Sequence, residues 1–173
     1  MTRNAFVLTS TQIGAIAESI IANSLMKESS GRLSPFWPIA DDDGIDLLIY
    51  DKATGKALPL QVKSRTKALK KMGSEARGNV VHFEVRDTAI KEDDYAYLAA
   101  VLLSGDLSSV DCSWFIPMKT FVSGARKGNG KFVIRPNRSR KSKDRFLQFR
   151  CESLQMLAQR VISVFERSES AVL

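Results

Sequence analysis

Residues 41–65 read DDDGIDLLIYDKATGKALPLQVKSR, and their pattern decides the fold. Ile45, Leu47 and Ile49 alternate with Asp46, Leu48 and Tyr50. Such period-two alternation marks a strand, so Asp46 points to the face opposite the first set. A turn follows across Asp51, Lys52, Ala53, Thr54 and Gly55. The next run, residues 57–64, sets Leu60 and Val62 on one face and Gln61 and Lys63 on the other. A short hairpin makes its two strands antiparallel. Asp46, near the start of the first, therefore comes close to Gln61 and Lys63, near the end of the second.

Carboxylate, amide oxygen and ammonium on one sheet face suit one chemistry. Oxygen ligands hold a hard divalent cation, while a lysine polarises an attacking water or neutralises a phosphoryl oxygen. A lysine in a buried strand has little other reason to be there, because an unpaired buried charge is costly. Ion pairs use the same residue types, so an internal salt bridge between Lys63 and Asp46 is the competing reading.

Upstream, Thr9-Ser-Thr-Gln12 fits a capping box, with Thr9 as N-cap, and predicts a helix continuing to about Lys27. Ile13, Ile16, Ala17, Ile20, Ile21 and Leu25 cover one broad face of it, and Glu18 falls at the edge of that arc. Helix-edge glutamates are ordinarily solvated, but one at this boundary can reach over the sheet.

The order helix acid, strand acid, hairpin, Gln-x-Lys resembles the PD-(D/E)xK nuclease superfamily. The residues that carry the resemblance are Gly44-Ile45-Asp46 and Gln61-Val62-Lys63. They are most similar to small bacterial members whose acid stands in a Gly-hydrophobic-Asp strand. The resemblance covers about residues 9–103. It implies an α/β, restriction-endonuclease-like αβββαβ core with a central mixed sheet flanked by helices. It also implies magnesium, with manganese as a substitute, held by Asp46, Gln61 and Glu18, and Lys63 as the fourth catalytic residue. Gln61 departs from the commoner pattern, which has Glu or Asp there, although some branches look similar in carrying Gln. An amide in place of a carboxylate removes a unit of negative charge, so metal affinity is expected to be lower than in an acid-x-Lys site.

Beyond the motif, Asp41, Asp42 and Asp43 read as a turn, with Asp43 also close enough to Asp46 to be a further acid. After Lys63 the chain is basic at Arg65, Lys67, Lys70, Lys71 and Arg77, as suits contact with a phosphodiester backbone. Residues 80–85, VVHFEV, read as a strand holding the only histidine, His82, so paired-histidine metal cages drop out. Residues 95–103 and 111–117 read as further sheet strands with Trp114 and Phe115 in or beside the core. Residues 124–131, GARKGNGK, fail as a phosphate-binding P-loop: the glycine spacing is wrong and Phe132 replaces the required Ser or Thr. Residues 135–145 carry six cations against Asp144 and predict an exposed basic loop with Arg138, Arg140, Lys141 and Lys143 as nucleic-acid contacts. A helix over residues 152–167 follows, its apolar stripe either packing on the core or forming a dimer face.

The 173 residues read as one domain: a core over about 9–123, a basic loop over about 124–146, and the C-terminal helix. A net charge of +7 favours a polyanionic partner, with a solvated basic surface as the other reading, and the nuclease resemblance makes nucleic acid, DNA first, the expected partner. Cys112 and Cys151 have neither metal-ligand nor disulfide-scaffold spacing, and no apolar run approaches the roughly 20 residues of a membrane span. A cytoplasmic protein with reduced thiols is the expectation. The expected function is metal-dependent hydrolysis of DNA, with a homodimer compatible with cutting both strands. Two alternatives stand beside it: a binding module on a nuclease-like scaffold that has lost activity, and a protein-interaction or immunity-type partner with Lys63 paired to Asp46.

Overall fold

The structure, a computed structural model, describes residues 7–40, 44–69, 78–90 and 95–170. Asp41, Asp42, Asp43, Lys70, Lys71 and Arg77 lie outside the described residues. The chain opens on α1 (Ser10–Glu28), whose start is fixed by the expected capping box. The Gln12 backbone N–H donates to Thr9 Oγ1 at 3.2 Å, and the Thr9 N–H donates to Gln12 Oε1 at 2.9 Å. Two otherwise orphaned backbone donors are thereby satisfied.

A six-stranded mixed sheet follows, in the order β1 (Leu33–Phe36), β2 (Leu47–Asp51), β3 (Lys56–Arg65), β5 (Tyr97–Leu103), β6 (Val110–Pro117), β9 (Arg150–Cys151). The hairpin read from residues 41–65 is present, with Leu47 opposite Leu60 and Ile49 opposite Leu58. The Asp51–Gly55 turn closes on a Gly55 N–H to Asp51 O bond of 2.8 Å, with Gly55 at φ +70°. β1 contains Pro35, which an edge strand tolerates because one side of it needs no ladder donor. β3 and β5 are parallel, the sheet's crossover. Among its described residues this crossover runs through β4 (Phe83–Arg86) and a 3-10 turn (Asp87–Ala89).

β4 belongs to a second, three-stranded sheet in the order β4, β8 (Lys131–Ile134), β7 (Arg126–Gly128). The stretch expected as a basic loop over 124–146 thus contains a β7–β8 ribbon in its first half. Glycines and lysines at residues 124–131 masked its strand character, and its pairing partner β4 lies some fifty residues away. α2 (Met118–Gly124) precedes it, and α3 (Leu154–Ser170) ends the described chain.

The central sheet has apolar residues on both faces and therefore two cores. Ala99, Val101 and Leu103 of β5 pack with α1 and α3, whereas Leu98, Ala100 and Leu102 pack with the small sheet and α2. Burial on both faces explains the unbroken apolar run of β5. On α3, Leu157, Ala158, Val161 and Phe165 are buried in the first core, so the C-terminal stripe packs on this chain's own α1 and sheet. Each such buried side chain contributes about 1.5–3 kcal/mol. Cys112 and Cys151 are free and buried. No helix among the described residues is long and apolar enough to cross a membrane.

Candidate functional site

Strand β3 builds the site by alternation. Leu58, Leu60 and Val62 enter the core under α1 and α3, so Gln61, Lys63 and Arg65 project from the other face. Pairing with β5 sets them beside Leu98, Ala100 and Leu102, at the margin of the second core. The three polar residues line one cavity of about 660 Å³ together with Asp46.

Asp46 stands one residue before β2, and its N–H donates to Leu60 O at 3.1 Å, continuing the ladder. Its Oδ2 accepts a hydrogen bond of 2.6 Å from the Val62 N–H, which fixes the carboxylate against β3. Lys63 Nζ lies 3.8 Å from the same oxygen, beyond hydrogen-bond length. The Lys63–Asp46 pair of the interaction-partner reading is thus present, at ion-pair distance, on the wall of an open cavity.

Gly44 explains why this acid is preceded by glycine. It sits at φ +67°, and a Cβ there would stand 2.6 Å from Ala89 O, 2.9 Å from Ala89 Cβ and 3.1 Å from Gln61 Nε2. Only a residue without a side chain lets Ala89, at the end of the 3-10 turn, and the Gln61 amide close on the backbone leading into Asp46. Gln61 itself is 3% exposed, and its Oε1 has no hydrogen-bond partner among the described residues. An unsatisfied buried acceptor costs about 1–3 kcal/mol, so a native one calls for an explanation.

Three charged cavity residues escaped the sequence reading: Glu84, Arg86 and Lys131. Lys131 Nζ donates to Glu84 Oε2 at 2.7 Å, and His82 Nε2 lies 2.9 Å from Oε1. The Lys131 hydrogen bond first, and then that of His82, hold the Glu84 carboxyl at about 2, below its ordinary 4.5. The alternation of His82, Glu84 and Arg86 with Val81, Phe83 and Val85 was the available signal for a polar face; the approach of Lys131 depends on a long-range pairing that no local pattern reveals.

Of the remaining expected site residues, Glu18 is half-buried on α1 and does not line the cavity. Ser10 is the α1 residue that does, and about 12 Å of helical rise separates the two. Lys67 is exposed just beyond β3. Arg138, Arg140, Lys141 and Lys143 lie exposed in the loop after β8, away from the cavity lining. Arg138 Nε donates to Asn79 Oδ1 at 3.3 Å, and Arg140 Nε pairs with Glu152 at 2.9 Å. No group of three or more His, Cys, Asp or Glu side chains among the described residues is placed to hold a metal ion.

No protein-family model and no curated protein matches this chain. Among solved structures, it is similar to a bacterial homing endonuclease, I-Ssp6803I, with a TM-score of 0.54 and 19% identity. The match covers 93% of this chain and 99% of that one. The two chains share a fold over nearly their whole lengths.

Proposed function

We propose that this protein is a metal-dependent nuclease that hydrolyses phosphodiester bonds in DNA at the Asp46 cavity. The observation that carries the reading is the buried Gln61 Oε1 without a donor, beside a carboxylate and a lysine. A cation is the partner that such an oxygen lacks. The shared fold with a homing endonuclease supports the reaction class and the choice of DNA.

The donor set suits magnesium, with manganese as a substitute. Magnesium takes hard oxygen ligands, keeps several waters, and is ordinarily held by one or two carboxylates plus substrate phosphates. Asp46 and one amide oxygen, in a cavity whose other lining carboxylate, Glu84, is held by Lys131 and His82, fit that habit better than a closed protein cage would. Asp46 and Gln61 would hold the ion, and Glu18, outside the cavity lining, would reach it only through bound water. When bound, the ion stabilises charge on the scissile phosphate and lowers the pKa of coordinated water. Lys63 supplies a proton-donating ammonium beside Asp46, where it orients the attacking water or binds a phosphoryl oxygen. Arg65, at the same cavity, neutralises a flanking phosphate. A homodimer would bring a second centre for the second strand.

The test is cleavage of labelled single-stranded and duplex DNA with magnesium, manganese or chelator, alongside Asp46→Ala and Lys63→Ala proteins. Metal-dependent cutting lost in both variants is expected. Absence of cutting under any metal, with salt-sensitive DNA binding retained in both variants, would sink catalysis and leave a binding module on a nuclease-like fold.

A further inference from the structure

The β4–β8–β7 sheet has one greasy face and one charged face. Phe83, Val85 and Ile134 point into the second core, and Phe132 packs against it. Cross-strand partners share a face. The pairs Glu84 with Val133, Arg86 with Lys131, and Arg126 with Val133 therefore place Arg86, Lys131 and Arg126 together on the outer side. The single acid among them, Glu84, is ion-paired with Lys131 and hydrogen-bonded to His82.

This outer face joins two cavities. The Asp46 cavity reaches it at Glu84, Arg86 and Lys131. A second cavity, about 610 Å³, opens at Val133 and carries Arg126, Arg135 and Arg145 beside one acid, Asp144, whose carboxylate accepts from the Asn137 N–H at 3.0 Å. Lys131 and Val133 are alternate residues of β8, about 7 Å apart along the strand. The cations are available for an outside partner: Arg135 Nε donates to His82 Nδ1, Arg145 Nη1 donates to Gly124 O, and neither forms an ion pair with an acid among the described residues. Arg126, exposed on the edge strand β7, has no acidic partner among them either. By contrast, Arg140 of the neighbouring loop is committed to Glu152.

We propose that the outer face of this small sheet is the surface that binds the phosphate backbone of duplex DNA, with Arg126, Arg135 and Arg145 as phosphate contacts leading away from the Asp46 cavity. The inference rests on the nuclease reading for its choice of DNA, but not for its location, which follows from charge and strand register. Arginines that share one cavity and have no acidic ion-pair partner among the described residues match a polyanion, and a two-stranded ribbon such as β7–β8 is narrow enough to lie in or along a duplex groove.

The experiment is equilibrium binding of a labelled duplex of about 25 base pairs to the full chain in chelator, over a series of salt concentrations. The Arg126→Ala/Arg135→Ala/Arg145→Ala protein is expected to bind about hundredfold more weakly at moderate salt. Its log affinity against log salt should flatten by about one unit for each phosphate contact removed. The three arginines are exposed, and the corresponding triple lysine protein, which keeps the charge, should retain most of the affinity and melt like the parent. Equal affinity and equal salt slope in the triple alanine protein would overturn the proposal. So would a larger loss from Arg138→Ala/Lys141→Ala/Lys143→Ala, or no duplex binding by the parent at low salt. Because no metal is present, the result is independent of cleavage. Binding lost in the triple variant by a parent protein that never cuts keeps this surface and removes the nuclease; cutting that survives with unchanged binding does the reverse.

Discussion

β2 ends in one acid and is preceded by another, and the two live in opposite circumstances. Asp51 is fully buried, and its carboxylate is saturated. Arg32 Nε and Nη2 donate to its two oxygens at 2.8 and 3.0 Å, and the Ala53 N–H and Thr54 hydroxyl add 3.2 and 3.0 Å bonds. Arg32 also reaches Glu166 on α3 at 2.9 Å, tying the hairpin to the C-terminal helix. Asp46, five residues earlier, has its lysine at 3.8 Å and an orphaned amide oxygen next to it. An acid recruited for stability is surrounded by enough donors to offset its burial. Asp46 accepts one backbone bond, from the Val62 N–H, and lines a cavity with an amide oxygen that has no partner among the described residues. The contrast separates ion pair from candidate centre where residue type could not.

The largest expected effect breaks the structural half of this comparison. Arg32→Ala leaves the Asp51 carboxylate buried without its guanidinium, which should cost about 3–5 kcal/mol in urea unfolding. The pH dependence follows from sign. The Arg32 hydrogen bond, above all, lowers the Asp51 pKa from its ordinary 3.8. Its contribution is therefore fully present above that value and is lost as pH falls through the lower folded pKa. Acid titration of the parent below about pH 4 should erase a stability difference that Arg32→Ala has already lost, so the two proteins' unfolding curves should converge. Curves that stay parallel would show that Asp51 is not the group being titrated.

The next effect tests the chemical half. Lys63→Ala should lower cleavage by about 10²–10³-fold, the size of removing one transition-state stabiliser, with little change in unfolding free energy. Metal affinity, read by calorimetry with manganese, should persist in Lys63→Ala and fall in Asp46→Ala. Loss of metal binding in both would mean that Lys63 holds the site together rather than acting on substrate.

The centre of this molecule was legible because it is local. Alternation in residues 45–50 and 57–64, with a turn of five residues between, was enough to bring Asp46 to Gln61 and Lys63, and Thr9 with Gln12 marked the start of α1. Glu84 and Lys131 were hidden because their meeting requires β4 to pair with β8 across a 3-10 turn, a helix and three strands. Glu18 shows the opposite failure. Helical periodicity placed it correctly at the edge of an apolar arc, but which turn of α1 faces the cavity depends on how the helix lies on the sheet, and there Ser10 is the residue that borders it. The ribbon β7–β8 was read as loop because Gly124, Gly128 and Gly130 carry little strand propensity, while the stacking of Lys127 Nζ 5.1 Å over Phe132 and the pairing with β4 supply the order from outside.

Gly44→Ala comes next in size. Forcing a Cβ into the left-handed region at φ +67° costs about 1–2 kcal/mol, and the 2.6 Å approach to Ala89 O adds more. The same displacement presses on Gln61 Nε2. The melting temperature should therefore fall together with metal affinity, whereas a loss of stability alone would uncouple Gly44 from the centre.

The smallest effect is the most discriminating. Gln61→Glu adds a charge at a buried position, so in chelator the protein should be less stable than the parent, because the new carboxylate has Asp46 for a neighbour and no added donor. With manganese the order should reverse, since a second carboxylate attracts the cation more strongly than an amide, by about tenfold or more in affinity. A structural amide makes the opposite forecast: its replacement would be destabilising with and without the ion, as expected for any charge buried beside another of like sign. Unfolding of the two proteins with and without manganese thus decides whether Gln61 belongs with Asp46, as an oxygen awaiting a cation, or with Asp51, as a group the fold has already committed.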